Sequence, residues 1–162
     1  MIALAARRLR RLPLAAALYL CAALLVGFAI DGGVAAVLTN LFLLRLGYGP
    51  ALIGLVNAAG TITFAFASLP AGALGERWGA QRTLVGALAL MVVGSVALPL
   101  ADLLPPAQQL PALIASSVLL YAGLAGFFVN GPPFLMRVVP PERRASAFSA
   151  QVAVLAVAGC VG

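Results

Sequence analysis

Five long apolar runs follow one another along this chain, and one run of about 20 such residues is enough to cross a lipid bilayer. The runs cover residues 14–44, 51–71, 83–101, 110–136 and 145–162. The breaks between them contain turn-forming residues, in the stretches RLGYGP, GERWGAQR, DLLPPAQQ and RVVPPERR. The sequence therefore predicts an all-α integral membrane protein, a multi-span helical bundle without a soluble domain.

The composition of the chain argues against several other classes of protein. Hydrophobic residues make up 64% of the chain and charged residues 9%, whereas soluble domains have about 45–50% and about 25%. The net charge is +6, but the ten basic residues are all arginines in small separate groups, so no continuous nucleic-acid face is expected. The chain has no histidine, no metal-ligand spacing and no nucleophile beside a base, so we expect neither an enzyme nor a metal site. No phosphate-binding glycine–lysine loop is present, and no cofactor is expected.

The arginines also predict the orientation of the chain, because cytoplasmic segments of membrane proteins are enriched in basic residues. Nine of the ten precede the first run or lie in the second and fourth breaks: Arg7, Arg8, Arg10, Arg11, Arg77, Arg82, Arg137, Arg143 and Arg144. We therefore expect a multi-pass protein of the cell membrane with its N-terminus in the cytoplasm. The basic start and the apolar run behind it also fit a cleaved signal peptide, but the run continues past Asp31 to Leu44, which favours a retained span.

The second break has an unusual concentration of charge and glycine, GALGERWGAQR over residues 72–82. Its glycines allow a tight turn and a close approach of neighbouring helices. Glu76 falls near the C-terminal end of the second span, where the helix dipole disfavours an anion. We expect its carboxylate to need a partner, and Arg77 and Arg82 are within reach in the sequence.

This stretch resembles the signature loop between helices two and three of the major facilitator superfamily. That pattern is a glycine, three residues, an acid, a base, any residue, a glycine, any residue and two bases. Matching positions are Gly72, Glu76, Arg77, Gly79 and Arg82, whereas Gln81 departs from the first of the two final bases. The segments NLFLLRLGYGPALIGLVNAAGTITFAFASLPAGALGERWG and PPERRASAFSAQ are also similar to members of the family.

The resemblance implies a transporter with two six-helix halves around a central cavity, of which this chain is an incomplete N-terminal part. It implies secondary active transport of a small solute by alternating access, with the remaining half absent from these residues. It further implies that Glu76 and Arg77, assisted by Arg82, form a cytoplasmic gate. The alternatives are that these are only topogenic charges, or that the whole chain is a membrane assembly protein complete at this length and without transport activity.

Asp31 is the one acid near the middle of an apolar run. An ionisable group at the centre of a membrane helix costs about 2.5–3.5 kcal/mol to insert, and such residues usually face a bundle interior or a water-filled path. Gly32 and Gly33 beside it would loosen the helix. We expect Asp31 to be a proton-coupling or cation-binding carboxylate. The alternatives are a buried structural acid and a shallower position in the membrane.

Two asparagines also fall within apolar runs, Asn57 in the second and Asn130 in the fourth. Both are candidates for contact with the solute, although hydrogen bonding between helices is the more common role of such residues. Asn130 precedes Gly131, Pro132 and Pro133, which should kink or break the fourth helix. Substrate, coupling ion and transport direction do not follow from these residues. Cys21 and Cys160 are expected to be buried apolar residues.

Overall fold

The chain folds into a series of α-helices that follow the apolar runs. A computed structural model describes residues 13–31 and 34–161. The helices are α1 (Leu14–Val26), α2 (Val34–Arg45), α3 (Pro50–Trp78), α4 (Ala80–Leu100), α5 (Pro106–Val138) and α6 (Pro141–Val161). A π-helical turn over Gly27–Asp31 extends α1, and a 3₁₀ turn over Ala101–Leu103 extends α4. No strand occurs in the described ranges, so the predicted all-α fold class is confirmed.

Three of these helices are long and apolar enough to cross a membrane, judged by length and composition. They are α3, α4 together with its 3₁₀ turn, and α5. Large apolar side chains on their surfaces are exposed, including Phe66 and Leu69 of α3, which leave 74% and 80% of their areas uncovered. Such side chains suit a lipid environment, and the protein is a membrane protein. The segment Leu14–Ile30 is a shorter apolar helix, so spans at the two ends of the chain stay predictions.

The chain divides into two compact units. The central unit comprises residues 41–131, and the terminal unit comprises residues 1–40 with residues 132–162. In the central unit, an apolar cluster forms where α2, α3, the 3₁₀ turn and α5 meet. Its buried members are Leu43, Val56, Ala101 and Leu113. This cluster fixes one end of the central unit, the end opposite the turn between α3 and α4.

Close backbone packing joins α4 to α5 within the central unit. Gly94 of α4 is buried against the main chain of Ser116 and Leu120. A Cβ atom built on Gly94 would lie 2.8 Å from the Ser116 carbonyl oxygen and 2.9 Å from the Leu120 Cα atom. In lipid, small residues at such positions let helices approach closely enough for main-chain van der Waals contact.

In the terminal unit, α1 and α6 pack together along an apolar face. Gly27 is buried at this contact, because a Cβ atom there would lie 3.0 Å from the Ala158 Cβ atom and 3.1 Å from the Leu155 Cδ2 atom. The π-helical turn begins at this same glycine. The first predicted run is therefore not one continuous α-helix, and its regular α-helical hydrogen bonding changes beside the contact with α6.

Candidate functional site

A single residue, Gly79, connects α3 to α4 at the stretch that the sequence singled out. Every other residue from Gly72 to Arg82 is helical. Gly79 has φ 88° and ψ 140°, a backbone conformation that L-residues with a side chain rarely adopt. Its carbonyl oxygen accepts hydrogen bonds from the Thr83 main-chain N–H and from Thr83 Oγ1, each at 3.2 Å. The reversal of direction is thus confined to one glycine, within the stretch whose glycines were expected to allow a tight turn.

The glycine that makes the closest helix contact at this site is Gly75. A Cβ atom there would collide with the side-chain carboxamide of Asn130 on α5. At Gly72, by contrast, a Cβ atom would lie 3.6 Å from the Val129 Cγ1 atom, which is an ordinary van der Waals distance. The glycines of this stretch predict a close approach of neighbouring helices. In the structure the closest approach is at Gly75, one turn before the reversal at Gly79.

The three charged side chains of the motif all lie at the reversal and are exposed. Glu76 and Arg77 occupy the last turn of α3, and Arg82 occupies the first turn of α4. No ion pair joins Glu76 to either arginine within the residues that the structure describes. Helix dipoles disfavour an anion at a C-terminus and a cation at an N-terminus, so Glu76 and Arg82 occupy electrostatically unfavourable ends. Arg77, near the C-terminus of α3, occupies a favourable one.

Asn130 is held by main-chain oxygens on two helices. Its side chain is 2% exposed, and its Nδ2 atom donates hydrogen bonds of 3.0 Å to the carbonyl oxygens of Ala71 on α3 and Gly126 on α5. Both amide hydrogens are therefore used. This geometry matches the hydrogen-bonding role that the sequence left open, and it leaves no free donor on the carboxamide for a solute.

Of the other two candidate polar residues, Asn57 lies far from this site along α3. Asn57 is half-buried on α3, and its carbonyl oxygen accepts a 3.1 Å hydrogen bond from Thr61 Oγ1. Because a helix rises 1.5 Å per residue, roughly 28 Å of helix separates Asn57 from Glu76. Asp31 ends the π-helical turn in the terminal unit, and its side chain lies outside the described part of the structure. Gly32 and Gly33, expected to loosen this helix, also lie outside it.

A buried polar pair in the terminal unit was not predicted from the sequence. Gln151 Nε2 of α6 donates a 2.9 Å hydrogen bond to the Tyr19 hydroxyl of α1, and the two residues are 8% and 5% exposed. The Tyr19 ring also packs against the Phe134 ring, with centroids 5.7 Å apart. A glutamine within the fifth apolar run was the available signal, since an amide at that depth needs a hydrogen-bonding partner.

Arg144, for which the sequence predicts a topogenic role, forms hydrogen bonds at the end of a helix. Its Nη2 atom donates to the Met136 carbonyl oxygen at 2.9 Å, and its Nε atom donates to the Val139 carbonyl oxygen at 3.3 Å. Arg144 therefore caps carbonyl groups at the C-terminal end of α5, where a positive charge is also favoured by the helix dipole.

Cys21 is exposed, contrary to the expectation that it would be buried, and the side chain of Cys160 lies outside the described part. A cysteine behaves as a small apolar residue, so exposure on α1 suits a surface that faces lipid. Within residues 13–31 and 34–161, no group of three or more potential ligand side chains could hold a metal ion.

Comparison with known proteins identifies the family. A family model described as Major Facilitator Superfamily matches residues 19–162, which includes the motif, the reversal at Gly79 and all six helices except the first turn of α1. Comparisons with curated proteins and with solved structures returned no match. The family consists of membrane transporters. The match covers most of the sequence, and the chain belongs to the major facilitator superfamily.

Proposed function

We propose that this chain is the N-terminal part of a secondary active transporter that moves a small solute by alternating access. Membership of the superfamily supports transport in general. The single observation that carries the proposal is the motif at the α3–α4 reversal, where Glu76, Arg77 and Arg82 are exposed around Gly79. In this proposal the motif gates the cytoplasmic side of the pathway, and the remaining helices come from sequence beyond these residues.

The electrostatics of the reversal support a gate. Glu76 and Arg82 are placed at helix ends that disfavour their charges, and neither forms an ion pair within the described ranges. A partner of opposite charge would stabilise each of them, and would do so only in the state that brings the partner close. A carboxylate and a guanidinium that gain partners in one conformation bias the equilibrium toward that conformation.

Asp31 is proposed as the coupling carboxylate. It ends the π-helical turn Gly27–Asp31, and π-helical turns inside α-helices frequently mark functional sites because they leave main-chain groups differently paired. An acid in the middle of a membrane span is itself a functional-site hypothesis. We propose that Asp31 takes up and releases a proton during the transport cycle.

The gate is tested with Glu76→Gln in the full-length transporter, with Glu142→Gln as the matched control. Both acids are exposed and lie near helix ends, but Glu142 is outside the motif, in the first turn of α6. Inverted membrane vesicles are supplied with a panel of sugars, amino acids and cationic drugs, and proton flux is followed with a pH-sensitive dye. We expect Glu76→Gln to lose most of the solute-dependent flux at unchanged membrane abundance, and Glu142→Gln to retain it. Equal flux in the two variants would contradict the gate.

The coupling role is tested in the same vesicles with Asp31→Asn, and Asp102→Asn serves as its control. Asp102 is an exposed acid in the 3₁₀ turn after α4. Removal of the coupling carboxylate should abolish solute-driven proton movement, while solute exchange down its own gradient continues. Solute-driven proton movement that persists in Asp31→Asn would assign the coupling to another group.

A further inference from the structure

We propose that Asn130 is a positioning residue that holds the C-terminal end of α3, and with it Glu76 and Arg77, to α5. This inference rests on the gate proposed above, and it assigns a role to a residue outside the motif. Its basis is the position of the Asn130 carboxamide between Ala71 and Gly75, the two residues that bracket the penultimate turn of α3.

The hydrogen bond from Asn130 reaches into the hydrogen-bond ladder of α3. In an α-helix the carbonyl oxygen of residue 71 also accepts from the main-chain N–H of residue 75. The Ala71 carbonyl oxygen is thus shared between the helix and the Asn130 Nδ2 atom, while the carboxamide covers Gly75 itself. Glu76 follows Gly75 directly, so the constraint acts on the residue next to the acid of the motif.

The position of Asn130 on α5 makes it suitable for transmitting movement. Pro132 and Pro133 follow within α5 and have no main-chain N–H, so the carbonyl groups of Phe128 and Val129 lose their usual helical donors. Helices bend most readily at such sites. The helix is not broken at these prolines, but it lacks two main-chain hydrogen bonds there. The residue that holds α3 therefore lies beside a site where α5 can bend, and a change of bend there would move the carboxamide and the turn that it holds.

A purely structural role makes a different prediction from a positioning role. If Asn130 only fills space between two helices, its loss lowers stability and leaves the geometry of the reversal unchanged. If it positions the reversal, its loss changes how readily that segment is reached by solvent. The readout must therefore report on the reversal itself, independently of the amount of folded protein.

The test measures the labelling rate of a cysteine at Gln81→Cys, an exposed position in the first turn of α4, with a membrane-impermeant maleimide. The full-length transporter is used in inverted vesicles, and Cys21→Ala and Cys160→Ala remove the native thiols of this segment. Labelling is compared on this background for Asn130→Ala, for Gly75→Ala and for the two combined. Gly54→Ala is the matched control, because Gly54 is an exposed glycine of α3 outside the motif and no atom lies within 4 Å of its added Cβ atom.

We expect Asn130→Ala to change the labelling rate by at least about fivefold, the lower end of ordinary coupling between sites. Gly75→Ala should give a similar change, because its Cβ atom displaces the same carboxamide. The combined variant should match either single variant, and Gly54→Ala should match the parent. Unchanged labelling in folded Asn130→Ala and Gly75→Ala, whatever their thermal stability, would overturn the proposal.

Two further comparisons distinguish the positioning role of Asn130 from a folding defect and from the proposed gate. Should Asn130→Ala not fold, Asn130→Ser replaces it, because a serine can bond the Gly126 carbonyl oxygen on its own helix but is too short to hold α3. Normal labelling in Asn130→Ser together with impaired transport in Glu76→Gln would overturn the positioning role and leave the gate standing. Altered labelling in Asn130→Ser with normal transport in Glu76→Gln would support positioning by Asn130 and refute the gate.

Discussion

The contact between α4 and α5 gives a prediction whose sign depends entirely on the structure. Gly94 and Gly86 are both glycines in the interior of α4, and the sequence gives no reason to treat them differently. A Cβ atom at Gly94 would lie 2.5 Å from the Leu120 main-chain nitrogen and 2.8 Å from the Ser116 carbonyl oxygen. At Gly86, which is exposed, no atom lies within 4 Å of the added Cβ.

The expected loss in free energy of unfolding for Gly94→Ala depends on which atoms must move to make room for the added Cβ atom. An ordinary van der Waals contact of a Cβ atom begins at 3.4 Å, whereas the Leu120 main-chain nitrogen would lie 2.5 Å from the added Cβ atom. The two helices must therefore separate by roughly 0.9 Å at Gly94, because main-chain atoms cannot rotate away as a flexible side chain can. Overpacking of this kind costs about 1–3 kcal/mol in free energy of unfolding. Each variant also gains about 0.5–1 kcal/mol from replacing a helical glycine with alanine. Because that gain is shared, the difference between Gly94→Ala and Gly86→Ala is the overpacking cost.

The assay is thermal unfolding of the full-length protein in detergent, followed by the loss of the monodisperse peak in fluorescence-detected size-exclusion chromatography. A loss of about 1 kcal/mol lowers the midpoint by about 2–4 °C in a protein of about 150–250 residues and by less in a longer one, so we expect the midpoint of Gly94→Ala to lie a few degrees below that of Gly86→Ala. Gly86→Ala itself should unfold at or above the wild-type temperature. Equal midpoints for the two variants would refute the contact between α4 and α5 as described.

Three further predictions concern other parts of the chain. Gly79→Ala should lower the unfolding free energy by about 1–3 kcal/mol, measured as a lower midpoint in the same assay, because φ 88° and ψ 140° strain a residue with a side chain. Tyr19→Phe should cost about 1–3 kcal/mol by leaving the buried Gln151 amide without the hydroxyl, and adding Gln151→Leu should restore part of that loss. An impermeant maleimide added to intact cells should label Asp102→Cys and not Gln81→Cys, and the opposite pattern would reverse the proposed orientation.

Most of the helical architecture could be predicted from the sequence because lipid leaves the backbone few choices. A segment in a bilayer must satisfy its own hydrogen bonds, so each apolar run predicts a helix. The ends of the helices were less predictable. The second run ends at residue 71, yet α3 continues to Trp78, because a helix does not stop where its residues become polar. Only Gly79, with its positive φ, ends it.

The π-helical turn at Gly27–Asp31 was not predictable from periodicity. A π-helical turn contains one residue more than an α-helical turn, and in a sequence it shows only as a shift in the spacing of polar residues. Nearly every residue around Gly27–Asp31 is apolar, so no such shift can be seen. The buried pair of Tyr19 and Gln151 lies 132 residues apart in the chain, and a sequence shows only that each needs a partner. Long-range pairing of this kind depends on which helices become neighbours.

The candidate site shows the same division between local and long-range information. Gly72 and Gly75 are three residues apart in α3 and so lie on one face of that helix, and this spacing is visible in the sequence. The spacing alone does not say which of them meets another helix, because that depends on Asn130, which lies 59 residues from its acceptor Ala71. The family pattern names Gly72, while the geometry gives the close contact to Gly75. A glycine can therefore match the family pattern without being the glycine that helix packing requires. Separate alanine substitutions at Gly72 and at Gly75 distinguish a role in the pattern from a role in packing.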